Sequence, residues 1–422
     1  MKKLIALLIS VLLVALCVVG LVACNPNEGG SDAKFKYNIN VWVGEGTKEL
    51  TERLITKFNE TNTYSIYFNA SVKQLSESVA VGDITSKPES APEIFCFAQD
   101  QIARLVSKDL LLQPSSSIAD AVKAVNTQTA VAAASMGDTL YAYPLTEDNG
   151  YFLYYDKKYI SEEQADSIEA IVAACQSQNK FFSFNIEGGW YAASFFYAKD
   201  VETNESLCKS EWTVNAQGRF TAHDDSFTSA NGRIAVEGIK KVFACSRYRA
   251  SASVDDFSAS TGAAAVVSGI WDYENAKRIL GDDLGIAQLP TFTANNGHTY
   301  RLASFLGSKL MGVTPQVGDT QKNSALSLLA QFLTNEQSQL ARFEAFGWRP
   351  SVATAQEQDD VKAHIALIKL LATATVPQGQ YPYDWWAAAE TMVGSMKTAV
   401  SDDDITNAFN IYNGKLDGFI NG

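Results

Sequence analysis

Strand-like and helix-like segments alternate through the first part of the chain. Residues 38–43 and 64–72 have the apolar or alternating pattern of β-strands, and residues 48–59 repeat apolar side chains at the spacing of one helix face. A buried strand is predicted at residues 92–97, and residues 322–413 are predicted to be mostly helical. This alternation is typical of a sheet with helices on its faces. The pattern therefore predicts an α/β fold.

The N-terminus has the pattern of an export signal. Two lysines precede an apolar run that ends at Ala23, which by length alone also fits an uncleaved membrane anchor. Residues 21–24, Leu-Val-Ala-Cys, resemble the bacterial lipobox, in which the cysteine is diacylated and becomes the first residue after cleavage. Two acyl chains anchor a protein stably. We therefore expect a lipoprotein signal peptide at residues 1–23, a lipid on Cys24 and a flexible tether over residues 24–36.

Length and charge narrow the class of protein. Removing the leader from the 422 residues leaves about 399, which is too long for one hydrophobic core and suits two or three domains. The 34 basic and 47 acidic residues give a net charge of −13, which disfavours nucleic acid as a partner. After the leader, no run of about 18 uncharged apolar residues occurs, so no further membrane span is predicted.

The sequence lacks the usual signatures of enzymes and metal sites. G-x-S-x-G, H-E-x-x-H and glycine-rich phosphate-binding motifs are absent, and three His and six Cys offer few soft ligands. No cofactor, metal or catalytic residue is therefore predicted. A disulfide between Cys208 and Cys245 is the one pairing considered, and Cys96 is expected to be a buried thiol. A secreted carbohydrate-active enzyme, using paired carboxylates such as Glu147 and Asp148, is kept as an alternative.

Several tryptophans lie next to turn residues, away from the middle of apolar runs. Trp190 follows two glycines, Trp271 follows a strand-like run, and Trp385 and Trp386 follow Asp384, a candidate helix N-cap. Adjacent helix residues point about 100° apart, so one of the last two tryptophans is expected in the core and the other outside it. Sugars offer C–H faces to aromatic rings and hydroxyls to polar groups. The aromatic pattern therefore favours a sugar site.

Short motifs along the chain support this interpretation. They are Ala91-Pro92-Glu93-Ile94-Phe95, Tyr141-Ala142-Tyr143-Pro144, Tyr155-Asp156-Lys157, Ser268-Gly269-Ile270-Trp271, Leu289-Pro290-Thr291-Phe292 and Asp384-Trp385-Trp386-Ala387. In this order over residues 37–400, they resemble extracellular solute-binding proteins of carbohydrate ABC importers, of the maltose/maltodextrin-binding type. The lipobox agrees with this resemblance, because such receptors are lipoproteins in Gram-positive bacteria.

The resemblance implies a two-lobed, periplasmic-binding-protein-like α/β fold with three crossovers and a ligand cleft that closes by hinge bending. The hinge is expected near residues 145–149, 302–308 and 345–351. The N-terminal lobe is predicted at residues 37–145 and 306–345. The C-terminal lobe is predicted at residues 146–303 and 350–422.

The resemblance also implies a set of ligand-binding residues. Aromatic stacking on sugar rings is expected from Trp271 and Trp385, together with the pair Trp190 and Tyr191. Hydroxyl binding is expected from Asp100, from Glu147 or Asp148 beside the hinge, and from Glu45 in the first loop. Two candidates lie where the sequence departs from the family pattern. Phe97 stands where the maltodextrin receptor has a stacking Trp. Glu187 is one position before Gly188, which stands where the family has an acidic residue.

These implications lead to one functional expectation. The protein is expected to be a monomeric, lipid-anchored receptor on the extracellular face of the cell membrane. It would capture an oligosaccharide, of the α-glucan or maltodextrin type, and deliver it to the permease subunits of an ABC importer without any reaction. The alternatives are the same fold with another cargo, namely a different oligosaccharide, a polyamine or iron, and the secreted enzyme considered above.

Overall fold

A computed structural model describes residues 33–258 and 262–421 of the chain. The predicted signal peptide at residues 1–23 and the lipidation site Cys24 lie outside the described residues. The first strand begins at Phe35, so the end of the tether predicted at residue 36 is wrong by two residues. Within the described ranges, no helix is both long and apolar enough to cross a membrane.

The structure alternates strands and helices, numbered here in chain order. The strands β1 to β19 are Phe35–Val43, Ile66–Gln74, Ile94–Ala98, Ser135–Met136, Thr139–Leu140, Tyr143–Thr146, Tyr151–Asp156, Phe181–Ser183, Lys199–Asp200, Ser210–Val214, Phe220–Asp225, Tyr248–Arg249, Ala263–Gly269, Leu284–Ala287, Thr291–Thr293, Thr299–Arg301, Ser304–Leu306, Lys309–Val313 and Thr375–Pro377. The α-helices α1 to α17 are Lys48–Thr61, Glu77–Ser86, Ile102–Ser107, Ser116–Val125, Gln128–Ala133, Ile168–Ser177, Gly189–Phe196, Ala230–Phe243, Tyr273–Leu280, Thr320–Leu333, Glu336–Phe346, Ala353–Gln356, Asp359–Ala363, Ile365–Ala372, Trp385–Met396, Asp402–Leu416 and Gly418–Asn421.

The first large sheet has the strand order β2-β1-β3-β18-β6. Strand β1 runs parallel to β2 and β3, whereas β18 runs antiparallel to β3 and β6. Val41, Phe95 and Leu310 lie fully buried in this sheet. Helix α1 packs beside it through an apolar stripe that includes Leu54 and Phe58. Because β18 comes late in the sequence, the chain returns to this lobe after forming most of the second one.

The second large sheet has the strand order β12-β8-β13-β7-β14. Strand β8 runs parallel to β12 and β13, and β7 runs antiparallel to β13 and β14. Every residue of β7 and β13 is buried, as expected for strands covered on both faces. Two sheets with separate apolar cores confirm the predicted two-lobed α/β fold. The residue boundaries given above for the two lobes stay predictions.

Three chain segments lie side by side where the lobes meet. The backbone N–H of Glu147 donates to the carbonyl of Arg349 at 3.0 Å. Asn149 and Gly307 donate to each other's carbonyls at 2.9 and 3.2 Å. These four residues fall within the three predicted hinge segments. The crossovers therefore form one hydrogen-bonded band, about which bending of the lobes is expected.

The cysteines of the described residues are free thiols. Cys96, Cys175, Cys208 and Cys245 are all buried and unbonded. The expectation of a buried thiol at Cys96 is confirmed, whereas the disulfide considered between Cys208 and Cys245 is absent. Burial in apolar surroundings raises the pKa of the Cys208 thiol to about 12, so this thiol is held in its unreactive, neutral form.

Candidate functional site

A cleft of about 700 Å³ lies between the two lobes, which is within the range of about 300–1,000 Å³ of ligand pockets. Six aromatic residues of the described ranges line it: Trp190, Tyr191, Trp271, Trp348, Tyr383 and Trp386. Polar and charged side chains from both lobes share the lining, among them Glu45, Glu77, Asp100, Asn149, Lys309 and Gln378. The cleft thus combines flat apolar faces with a few placed hydrogen-bonding groups.

The two sheets direct their strand ends into this cleft. Strand β3 ends at Ala98, and the short turn after it carries Asp100. Strand β13 ends at Gly269, and the turn after it carries Trp271 and Asp272. In open α/β sheets, ligands bind outside the carboxyl ends of the strands. The fold therefore explains why these residues reach the cleft.

Trp190 belongs to an aromatic wall in the C-terminal lobe. Its ring lies 4.7 Å from that of Tyr151 in an edge-on arrangement and 6.0 Å from that of Phe305 in a stacked one. The hydroxyl of Tyr151 donates to the backbone carbonyl of Trp190 at 3.0 Å. Next to it, Gly189 lies so close to Trp386 that an added Cβ would overlap the backbone carbonyl of that residue. The glycine thus allows helices α7 and α15 to approach and bring both tryptophans to one cleft.

Trp271 is held against the backbone at the end of β13. An added Cβ at Gly269 would overlap the indole ring of Trp271, so the glycine is needed for this position of the ring. The ammonium of Lys309 lies 5.3 Å from the centre of the same ring and 4.8 Å from that of Trp348. Ammonium groups at this range are attracted to the faces of aromatic rings. Trp271 is therefore fixed from both lobes.

Lys309 is a buried cation in the lining of the cleft. Its Nζ lies 3.0 Å from a carboxylate oxygen of Glu77. Burial by itself would lower the pKa of Lys309, but the carboxylates of Glu77 and Asp148 outweigh it and raise that pKa above its ordinary value. The side chain therefore stays protonated, and its charge is matched within the protein.

Asp100 accepts hydrogen bonds from both lobes. Its carboxylate receives the indole N–H of Trp386 at 3.0 Å, the amide of Gln378 at 3.1 Å and the amide of Gln101 at 2.6 Å. Burial raises the pKa of Asp100, and the three donors offset only part of this effect. Trp386 and Asp100 thus form a direct hydrogen bond across the cleft.

The prediction that Trp385 faces the ligand disagrees with the structure. The Trp385 side chain is fully buried, its ring stacks on Tyr381 at 4.4 Å, and its N–H donates to the hydroxyl of Tyr412 at 2.8 Å. The neighbouring Trp386 lines the cleft instead. The buried residues of helix α15 explain the difference, because they recur at helical spacing in register with the first tryptophan: Trp385, Ala388, Ala389, Met392, Val393 and Met396. This periodicity was available in the sequence.

Glu147 and Asp148 lie at the crossovers and not in the cleft lining. Glu147 forms a buried ion pair with Arg349 at 3.0 Å and accepts hydrogen bonds from the side chains of Thr127 and Gln356. Asp148 accepts the backbone N–H of Arg349 at 2.8 Å, and burial raises its pKa. Both carboxylates are thus occupied in joining two hinge segments, which corrects their predicted contact with ligand.

Two further candidates are also engaged elsewhere. Phe97 is fully buried in β3 and packs on Phe95 with ring centres 5.5 Å apart, so it offers no face to the cleft. Glu187 pairs with Lys397 at 2.9 Å, and neither residue lines the cleft. Phe97 is a core side chain because β3 is the central strand of its sheet.

The remaining candidates lie together in the cleft: Trp190, Tyr191, Trp271, Asp100 and Glu45. Their roles toward a ligand stay predictions. The sequence reasoning missed Trp348, Tyr383, Lys309 and Gln378, which line the same space. Trp348 carried a usable signal, since it follows Gly347, a helix C-cap with a φ of 70°, and so lies at a helix–turn edge as the other tryptophans do.

The part of the chain that the structure describes holds no cluster of three or more His, Cys, Asp or Glu side chains able to bind a metal ion. A bound iron cargo would need such a donor set or an equivalent one.

Comparisons with known proteins agree with this architecture. The maltodextrin-binding protein MdxE of Bacillus subtilis (strain 168) is 23% identical over 425 residues, which cover 94% of this chain and 95% of that protein. The structure of maltodextrin-binding protein MalE1 from L. casei BL23 without ligand matches with a TM-score of 0.69 at 20% identity, covering 92% of this chain and 99% of that one. The maltose/maltodextrin-binding domain MalE from Bdellovibrio bacteriovorus bound to maltotriose matches with a TM-score of 0.71 at 16% identity, covering 90% and 100%.

A family model matches most of the chain. It is described as bacterial extracellular solute-binding protein, and it matches residues 53–369. This family and the relatives named above are binding proteins and not enzymes, which removes the alternative of a secreted enzyme. The chain belongs to the family of bacterial extracellular solute-binding proteins.

Proposed function

We propose that this protein captures an oligosaccharide of α-linked glucose, of the maltodextrin type, in the cleft between its lobes. It then delivers the sugar to the permease subunits of an ABC importer. The observation that carries the proposal is the composition of the cleft, in which the rings of Trp190, Trp271 and Trp386 share one space with carboxylate and amide groups.

The geometry suits a pyranose chain. The rings of Trp190 and Trp271 have centres 6.1 Å apart with planes 36° apart, so together they offer a curved apolar wall. A glucose unit has C–H faces for such rings, and hydroxyls at its edge for Asp100 and Asn149. A polyamine has no ring face to stack on the indoles, and an isolated metal ion would make no use of them.

The named relatives support the choice of sugar. One is a maltodextrin-binding protein by name, and another was solved with maltotriose bound. Both cover nearly all of this chain. Shared ligand chemistry is expected where the cleft offers the same kinds of groups, namely indole faces beside carboxylates and amides.

Calorimetric titration tests the proposal. We expect maltotriose to bind, and cellotriose and spermidine to bind much more weakly or not at all. Trp271→Ala should weaken maltotriose binding, whereas Trp42→Ala should not, because Trp42 lies on β1 under the ammonium of Lys73 at 4.9 Å and is not part of the cleft lining. Failure of maltotriose to bind the wild type would reject the α-glucan proposal.

The lipid anchor is a second part of the proposal. Its support is the sequence Leu-Val-Ala-Cys at residues 21–24 behind an apolar run. We expect Cys24→Ala to release the receptor into the medium or to leave an unprocessed precursor. Mass spectrometry of the N-terminal peptide of the membrane-bound wild type should find a diacylglyceryl-modified Cys24. Normal retention of the variant at mature size would contradict the anchor.

A further inference from the structure

The charges on the cleft wall are strongly unbalanced. Among the residues that the structure describes, the lining contains one lysine and no arginine, and that lysine, Lys309, is already paired with Glu77. Five other carboxylates of the lining have no Lys or Arg partner within 4.0 Å among the described residues: Glu45, Asp100, Asp272, Asp384 and Glu390. A neutral sugar would donate hydrogen bonds to these groups but would bring no positive charge to offset them.

We propose that the cleft selects sugars that carry a protonated amine over otherwise identical neutral sugars, and rejects those that carry a carboxylate or phosphate. This inference rests on the proposed sugar-binding function and specifies the charge of the preferred ligand.

The cleft already accommodates one ammonium group of its own. The Nζ of Lys309 lies 4.8 Å from the ring centre of Trp348, 5.3 Å from that of Trp271 and 3.0 Å from the Glu77 carboxylate. An alkyl ammonium between indole faces and a carboxylate is therefore compatible with the chemistry of this wall. The Lys309 group serves as an internal example of the ligand chemistry that we infer.

The wall around Asp100 offers the same kinds of groups without an ammonium. Trp386 supplies an indole beside the Asp100 carboxylate. The side-chain oxygen of Gln101 is buried next to that carboxylate and has no hydrogen-bond partner among the described residues. An unsatisfied buried acceptor beside a carboxylate favours a ligand group that donates hydrogen bonds and carries positive charge. The guanidinium of Arg104 lies over the ring of Tyr383 at 3.6 Å and is not part of the lining.

The exposed carboxylates extend this preference toward the mouth of the cleft. Asp384 is the N-cap of helix α15, Glu390 lies within that helix, and both side chains are exposed. Glu45 is exposed in the loop after β1, on the opposite lobe. A cationic ligand entering between them is attracted from both sides, whereas an anionic one is repelled.

Maltotriose and analogues that differ from it in a single group test the inference by calorimetric titration. They are maltotriose, maltotriose with a primary amine in place of the 6-hydroxyl of one terminal glucose, and maltotriose with a carboxylate at that same carbon. Amine and carboxylate versions are prepared for each terminal ring. We expect the better amine analogue to bind about tenfold more tightly than maltotriose and the carboxylate analogues to bind at least about tenfold more weakly, since one charge pair at close range has an effect of that order.

Charge-removing variants identify the source of the preference. Asp100→Asn and Glu390→Gln should each reduce the ratio of the affinity for the amine analogue to the affinity for maltotriose, by about threefold or more. Glu390→Gln changes an exposed side chain and so keeps the test valid if Asp100→Asn fails to fold. Asp403→Asn is the matched control, because it removes one exposed carboxylate at the start of helix α16, outside the cleft lining. That ratio should stay the same in the control.

The outcomes separate the two proposals. Binding of maltotriose and of both kinds of analogue with equal affinity, or tightest binding of a carboxylate analogue, overturns the charge preference and leaves the sugar-binding function standing. An equal loss of the amine preference in Asp403→Asn also overturns it, since the effect would then come from net charge alone. Binding of none of the sugars rejects the proposed function and this inference with it.

Discussion

Trp385 and Trp386 are expected to contribute to different properties of the protein, one to stability and the other to ligand affinity. Both are indoles at the start of helix α15, but one is fully buried and the other lines the cleft. Replacing each by alanine removes the same side chain from two different environments. The two substitutions should therefore separate ligand affinity from stability.

The magnitudes follow from burial. A stacked indole hides about 80–100 Å² of apolar surface against a sugar face, worth about 2–2.5 kcal/mol at about 25 cal/mol per Å². Trp386→Ala should therefore weaken maltotriose binding by about 30- to 70-fold. Trp385→Ala deletes a side chain stacked on Tyr381 and hydrogen-bonded to Tyr412, and should lower the free energy of unfolding by about 3–5 kcal/mol.

Calorimetric titration with maltotriose, together with urea unfolding of each variant, distinguishes the two. Trp386→Phe is the matched control, because it keeps a flat but smaller aromatic ring and loses the N–H that donates to Asp100; its loss of affinity should stay below about tenfold. The reasoning is refuted if Trp386→Ala binds maltotriose as the wild type does. It is equally refuted if Trp385→Ala loses affinity with no loss of stability.

Three further predictions concern the supports of the cleft. Gly269→Ala should weaken maltotriose binding by at least about tenfold with the fold retained, because its Cβ would displace the indole of Trp271; unchanged affinity in titration would contradict this. Glu147→Gln should lower the free energy of unfolding in urea by about 1–3 kcal/mol, because Arg349 loses a buried ionic partner; a large loss of affinity at unchanged stability would instead restore Glu147 as a ligand contact. Burial raises the pKa of Asp100, so its contribution to stability is complete below the ordinary aspartate pKa of about 3.9 and is lost as pH rises through the raised value. The stability of Asp100→Asn relative to wild type should therefore increase with pH across that window, and a difference that stays constant or decreases would refute the assignment.

The fold could be predicted where apolar runs were long and locally consistent. The strand predicted at residues 92–97 is observed at Ile94–Ala98, and the helix predicted at residues 48–59 is observed at Lys48–Thr61. The first strand begins earlier than predicted, at Phe35. Phe35 and Tyr37 alternate with polar residues in phase with Ile39 and Val41, so the sequence itself carried the period-2 signal for this extension of the strand.

The site was predictable where a tryptophan followed a turn or a strand end, as at Trp190 and Trp271. It was not predictable for carboxylates whose partners lie far along the chain. Glu147 and Arg349 are 202 residues apart in sequence, and nothing local indicates that this acid is already paired. The motif Asp384-Trp385-Trp386-Ala387 does not by itself distinguish the two tryptophans, whereas the helical periodicity of the buried residues that follow places Trp385 in the core.

Hydrogen exchange with and without maltotriose tests most directly whether a sugar binds between the two lobes. Saturating maltotriose should slow amide exchange in one segment of the N-terminal lobe, residues 98–101, and in three segments of the C-terminal lobe, residues 188–191, 268–272 and 383–387, because these segments carry the cleft lining from both sides. The segment at residues 402–416, which is not part of that lining, should exchange at an unchanged rate. Protection in all four cleft segments is the result that we predict; protection confined to one lobe, or absent while maltotriose binds, would contradict the account.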